Sequence, residues 1–204
     1  MRNLVRCFCL LLMVCLAWTA PYAQEAAEKK AAPAEKKSEE SAETVAVLHT
    51  SMGDITLAFR PDVAPHHVEN FLDLARSKFY DGTLFHRVIS GFMIQGGDPL
   101  SKDDNPANDG TGNGPRTLKA EFSSLPHTRG ALSMARGNDP DSASCQFFIV
   151  HQDSNFLDGK YTVFGRAIDG MDVVDKIAAT PTDKRKGNRP LENVVIRSVE
   201  VTSR

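Results

Sequence analysis

Internal disulfides are excluded from most of this chain by scarcity. Of its four cysteines, Cys7, Cys9 and Cys15 cluster at the very start, and only Cys145 lies further along. A 204-residue chain is long enough to bury a core without cross-links. Cys145 precedes Phe147 and Phe148 and reads as a small buried residue. The one tryptophan, Trp18, is also near the start. A basic excess is missing too. Beyond residue 43 there are 18 Lys and Arg against 20 Asp and Glu, which argues against a nucleic-acid partner. The six histidines stand at 49, 66, 67, 86, 127 and 151 without a spacing such as His-Glu-x-x-His. His66 and His67 point to different faces of a helix and read as solvated. Neither a metal nor a cofactor is expected. Ser133 has no nucleophile elbow around it, so a serine hydrolase is unsupported. The run Gly110-Thr111-Gly112-Asn113-Gly114 is fed by no strand, opens no helix and is closed by Pro115, so a phosphate cradle is unsupported. No internal repeat is visible.

What is present divides into three parts. Residues 1–23 carry Arg2 and Arg6, then an uncharged apolar run from Cys7 to Ala17, then small residues at Ala20 and Ala23. That order is a secretory signal peptide, and the run is shorter than the roughly 20 residues of a membrane span. Export follows, to a periplasm, with no stable membrane insertion after cleavage. An imperfect cleavage site, with Pro21 just before Ala23, leaves two alternatives: an uncleaved anchor, or lipidation at Cys15 behind the poor lipobox Leu12-Met13-Val14. Residues 24–43 are rich in Ala, Glu and Lys with Pro33, without aromatic or branched aliphatic residues. Such a segment cannot bury enough surface to offset its ordering entropy and reads as a solvated linker. Residues 44–204 hold the folded domain.

Within it, Thr44–Thr50 and Ile55–Phe59 alternate as a hairpin around Ser51-Met52-Gly53-Asp54. Asp62-Val63-Ala64-Pro65 opens a helix with Val68, Phe71, Leu72 and Ala75 as its buried stripe. Strands follow at Phe85–Ile89, Phe92–Gly96, Gly130–Ala135, Ser144–Val150, Val163–Ile168 and Val194–Val201. A short helix carries Met171, Val174, Ile177 and Ala178. A long Gly/Asp/Asn/Pro loop spans 97–116, and loops of that length in compact domains are often functional. Many short strands and two helices point to an all-β barrel capped by helices.

One stretch stands out: Phe85-His86-Arg87-Val88-Ile89-Ser90-Gly91-Phe92-Met93-Ile94-Gln95-Gly96-Gly97-Asp98. Strand parity puts Arg87 on the side of Phe85 and Ile89, in apolar company. A guanidinium there is either structural, in a salt bridge or at a sheet rim, or functional. Gln95 adds an amide beside apolar residues. With Gln146-Phe147-Phe148-Ile149 and Phe156-Leu157-Asp158-Gly159-Lys160…Val163-Phe164-Gly165, the stretch resembles the cyclophilin family of peptidyl-prolyl cis-trans isomerases from about Val45 to Val201. The resemblance implies a closed eight-stranded antiparallel barrel with a helix over each end. It implies an enzyme that accelerates rotation about X–Pro bonds in extended or unfolded polypeptides and so assists folding. It implies Arg87, Gln95 and Phe92 as catalytic residues, with Phe92, Met93, Phe148 and Leu157 as the proline pocket. Gln95 then orders Arg87 and the substrate backbone, Ala135 and Arg136 offer main-chain contacts, and Gln146 helps to orient the peptide. The glycine-rich loop lines one side of the groove.

The chemistry fits a fixed cation. X–Pro isomers differ little in energy yet exchange slowly, because amide resonance sets a barrier of roughly 18–20 kcal/mol. Twisting the amide frees the nitrogen lone pair, and a guanidinium donates to it without easily losing its proton. Binding then favours the transition state over the ground state. Three positions depart from the family's usual residues. Arg136 stands where asparagine is common, Phe156 where tryptophan is common, and Tyr161 where histidine is common. Phe156 and Tyr161 keep aromatic bulk at the substrate rim but change its donors, so only weak cyclosporin binding is expected. A monomer is expected. The rival reading is a proline-peptide binding module or holdase without turnover; Arg87 and Gln95 favour the enzyme.

Overall fold

The computed structural model describes residues 43–204, so the expectations for the leader and linker lie outside the described residues. Among the described residues there are ten strands: β1 Thr44–Thr50, β2 Gly53–Phe59, β3 Arg87–Ile89, β4 Met93–Gly96, β5 Ala131–Met134, β6 Phe147–Val150, β7 Val163–Asp169, β8 Thr182–Asp183, β9 Arg189–Pro190 and β10 Ile196–Ser203. Helices α1 (Pro65–Arg76) and α2 (Met171–Ala178) complete the fold. Eight strands form one antiparallel sheet in the order β10-β1-β2-β7-β5-β6-β4-β3, and β8 and β9 form a separate two-stranded ladder. The eight antiparallel strands and two helices match expectation, but closure is only partial. The edges approach through a bridge between Leu84 and Val195, helped by Phe85 N–H donating to the Val194 carbonyl at 2.9 Å. No ladder joins β3 to β10 among the described residues, so the sheet is a curled half-barrel.

Local chemistry sets the elements. In the β1–β2 turn the Thr50 hydroxyl donates to the Gly53 carbonyl (2.6 Å) and accepts from Met52 N–H (3.0 Å), and Gly53 takes a φ of +128° that favours glycine. Helix α1 has no side-chain cap from its own N-terminus. Glu121, far along the chain, supplies one: its carboxylate accepts from His66 N–H (3.2 Å) and His67 N–H (3.0 Å). The same carboxylate meets the His67 ring at 2.6 Å. Burial works against the carboxylate's charge, yet these contacts hold Glu121 below its ordinary range. His67 is therefore fully buried, against the expectation of a solvated ring; only His66 is exposed.

The interior packs around Phe71, as its helical stripe requires. The rings of Phe59, Tyr80, Phe147 and Phe164 lie 5.0–5.7 Å from its own. Cys145 is buried beside them, and loss of solvent pushes its thiol up to about 12. Strand alternation sorts the rest. Val88, Ile94, Leu132, Met134, Phe147 and Ile149 face this interior. Met93, Ala131, Phe148 and Val150 face outward and pack with Leu157 and Val163. Phe85 breaks the expected parity: it lies in the interior with Val88 because the strand begins only at Arg87. Arg87 thus shares its face with Ile89 and not with Phe85.

Candidate active site

The outward face carries a row of side chains fixed by register. Arg87 on β3 lies opposite Gln95 on β4, Gln95 opposite Phe148 on β6, and Phe148 opposite Ser133 on β5. Side chains directly opposite across neighbouring strands share a face and touch. Hydrogen bonds run along the row. Arg87 Nη1 donates to Gln95 Oε1 at 3.1 Å, and Gln95 Nε2 donates to Gln146 Oε1 at 3.0 Å. Gln146 Nε2 donates to the carbonyls of Gly110 (3.0 Å) and Gly112 (2.8 Å). Arginine offers only donors, so it dictates the orientation of both amides and the polarity of the whole relay. Among the described residues no carboxylate pairs with Arg87, which excludes the structural ion pair, whereas its place on the edge strand β3 does put it at the sheet rim. Burial lowers its pKa, but a guanidinium stays protonated at any working pH.

A cavity of about 280 Å3 opens beside this row. Every residue expected in the site except Gln146 lines it: Arg87, Phe92, Met93, Gln95, Ala135, Arg136, Phe148, Phe156, Leu157 and Tyr161. Gln146 lines an adjoining cavity of about 260 Å3, which shares Gln95, Ala135 and Arg136 with the first. Met93, Phe148 and Leu157 form an apolar floor. Phe156 is 64% exposed and leans on Phe92 at 5.4 Å.

Several residues that support this site escaped the sequence reading. Asp98, fully buried, closes the signature stretch; its carboxylate accepts from Leu100 N–H at 2.8 Å and from Gly110 N–H. It thereby anchors the glycine loop under which Gln146 is held. Gly112 passes so close to Asp98 that a Cβ would collide with the carboxylate, which explains a glycine there. Behind the apolar floor, His127 stacks on Phe148 with ring centres 6.1 Å apart. Its Nδ1 meets Asp158 at 2.9 Å, and its Nε2 meets the Ser133 hydroxyl at 3.0 Å. Ser133 also reaches the Thr162 carbonyl at 3.0 Å, so its one proton has two acceptors in range. Burial holds His127 below the ordinary histidine range, although Asp158 opposes this. Asp158, His127 and Ser133 thus share the hydrogen-bond order of a hydrolytic triad, but not its accessibility. Ser133 and His127 are completely buried, which denies a substrate access. The signal for His127 was absent in the sequence because Asp158 lies 31 residues away.

An outward apolar floor, a held guanidinium and an amide relay on a curled antiparallel sheet define a groove for an extended, partly apolar ligand. Known proteins place it further. The family described as cyclophilin type peptidyl-prolyl cis-trans isomerase/CLD matches residues 45–201. A probable peptidyl-prolyl cis-trans isomerase of Brucella abortus is 48% identical over 141 residues, covering 66% of this chain and 71% of that protein. Peptidyl-prolyl cis-trans isomerase B of Escherichia coli is 42% identical over 170 residues, covering 76% and 98%. A Cryptosporidium parvum cyclophilin, solved in the presence of the dipeptide Ala-Pro, superposes with a TM-score of 0.71 at 31% identity, covering 78% and 99%. The chain belongs to the cyclophilin-type peptidyl-prolyl cis-trans isomerases, and its activity is isomerisation of X–Pro peptide bonds.

Proposed function

We propose that the proline ring of the substrate enters the cavity beside Arg87 and rests on Phe92, Met93, Phe148 and Leu157. Arg87 then donates to the prolyl nitrogen as the amide twists. The observation that carries this reading is the bond from Arg87 to Gln95 without a competing carboxylate. The guanidinium is held by one edge and keeps its remaining donors for a ligand. Gln95 positions Arg87 and meets the substrate backbone. Ala135 and Arg136 offer main-chain groups, Gln146 orients the peptide through the glycine loop, and Phe156 and Tyr161 close the rim. The Ala-Pro dipeptide of the Cryptosporidium parvum structure supports a proline ligand for this groove. No general base is needed, because no bond is made or broken; the enzyme only stabilises a rotation.

The leader makes this an exported, periplasmic isomerase that assists folding of exported polypeptides. It acts as a monomer and leaves residues 24–43 as a spacer. Among the described residues no helix is long and apolar enough to cross a membrane. The test is a protease-coupled isomerase assay on residues 44–204 with a short proline peptide. Turnover well above the uncatalysed rate supports the reading. Binding of the peptide without turnover would favour the holdase alternative.

A further inference from the structure

The side chain of Arg136 stands on the wall shared by the two cavities. It is held by backbone carbonyls: Nε and Nη2 donate to Lys160 O at 3.2 and 2.9 Å, and Nη1 donates to Gly137 O at 2.9 Å and Asn138 O at 3.2 Å. Its guanidinium carbon lies 4.6 Å from the centre of the Tyr161 ring. Carbonyl oxygens and an aromatic face fix the group without cancelling its charge. Of the five N–H donors of arginine, these bonds leave one on Nη2 uncommitted. No aspartate or glutamate lines either cavity, and Arg87 adds a second cation to the first. Nor does any salt bridge among the described residues involve Arg136.

Besides Arg136 the lining of the adjoining cavity holds no charged side chain; Asn113 adds a neutral amide, and most other polar groups there are engaged. The Ser142 hydroxyl already donates to Asp139 O (2.6 Å), and the Ser144 hydroxyl to Arg116 O (2.7 Å). Both amide protons of Gln146 go to the glycine loop. A charge fixed in advance costs a ligand less ordering than a mobile one.

We propose that Arg136 is a specificity-determining residue whose guanidinium makes this isomerase prefer proline substrates carrying a carboxylate side chain one to three residues from the proline. This rests on the groove reading above, with proline in the first cavity and its neighbours reaching the second. The group is partly exposed, so the preference is modest and weakens with salt: about threefold to fivefold between acidic and neutral peptides at low ionic strength.

The experiment compares matched proline peptides with Glu, Gln or Lys at each of those positions. It reads both kcat/KM and, by NMR titration, Kd, at low and high salt, for the wild type, Arg136→Gln and Arg136→Lys. The wild type should favour Glu over Gln over Lys at one position at least, and salt should compress the ratio. Arg136→Gln should abolish the ratio, and Arg136→Lys should retain most of it. A loop-stapling role alone would lower all three peptides together in both variants and leave the ratio intact. A wild type indifferent to peptide charge, or a ratio that survives Arg136→Gln, overturns the proposal. Failure of the neutral peptide to turn over would instead count against the groove reading, while the Kd values would still decide the charge preference.

Discussion

The two faces of the same strands do opposite work. On β6, Phe147 and Ile149 point into a sealed apolar interior, while Phe148 and Val150, one residue along, pack on the opposite face, where Phe148 lines the groove. The inward face has aromatic rings on nearly every side of Phe71. The outward face has an apolar floor of its own, but it is crossed by the Arg87–Gln95–Gln146 relay and left open for a ligand. A strand period of two lets one stretch of chain specify both surfaces, provided that register is fixed. The interior fixes it: a slip of one residue would bury Arg87 and Gln95 and expose Val88 and Ile94.

Substitutions on adjacent residues test that division most strongly. Phe147→Ala should cost about 3–5 kcal/mol, the transfer term plus a sealed cavity, yet leave the isomerase constant of the folded fraction nearly unchanged. Phe148→Ala opens onto the groove and leaves no sealed void, so it should cost about 1.5–3 kcal/mol. Its effect on kcat/KM should be the larger of the two. Chemical unfolding and initial rates on both variants read this directly, and equal losses in both measurements would erase the distinction between faces.

A smaller effect concerns the rim of the outward face. An indole N–H at position 156 would supply a donor that the exposed phenylalanine lacks. Phe156→Trp should tighten cyclosporin inhibition by about one to two decades, the worth of a hydrogen bond of roughly 1–3 kcal/mol to an otherwise unpaired carbonyl. Activity towards a short peptide should change much less. Tight inhibition of the wild type, or no gain in the variant, would remove residue 156 from control of that ligand.

The gentlest probe is acid. Burial holds His67, His86 and His127 below the ordinary 6.5, so the folded state resists protonation more than the unfolded chain does. Their contribution to stability is complete above pH 6.5 and is lost as pH falls from there through the folded values. His49, beside Asp54 and Glu200, has the opposite sign but is too exposed to matter much. The urea midpoint should therefore drop between about pH 7.5 and 5.5, while Arg87, which does not titrate there, leaves the activity of the folded protein unaffected. A midpoint that is flat or rises on acidification would contradict the burial of these rings.

Strand alternation, the helical stripe of α1 and the three family blocks made the architecture and the lining of the main cavity legible before any coordinates. What stayed hidden depends on distance along the chain. Glu121 caps a helix far from it in sequence, and His127 finds Asp158 across 31 residues, with no local pattern announcing either. The parity of Phe85 failed because strand pairing starts later than its apolar run. The barrel's partial closure likewise turns on hydrogen bonds between distant segments at 84 and 195, which hydrophobic pattern does not encode.

The most direct measurement is the kcat/KM of Arg87→Ala on a proline peptide, taken beside its unfolding midpoint. Arg87 lies on the outward face and leaves the interior untouched, so the midpoint should stay close to that of the wild type. Loss of the donor group proposed for the twisted amide should cut kcat/KM by about two to three decades. A folded Arg87→Ala protein that turns over substrate at nearly the wild-type rate would contradict the role assigned to the guanidinium.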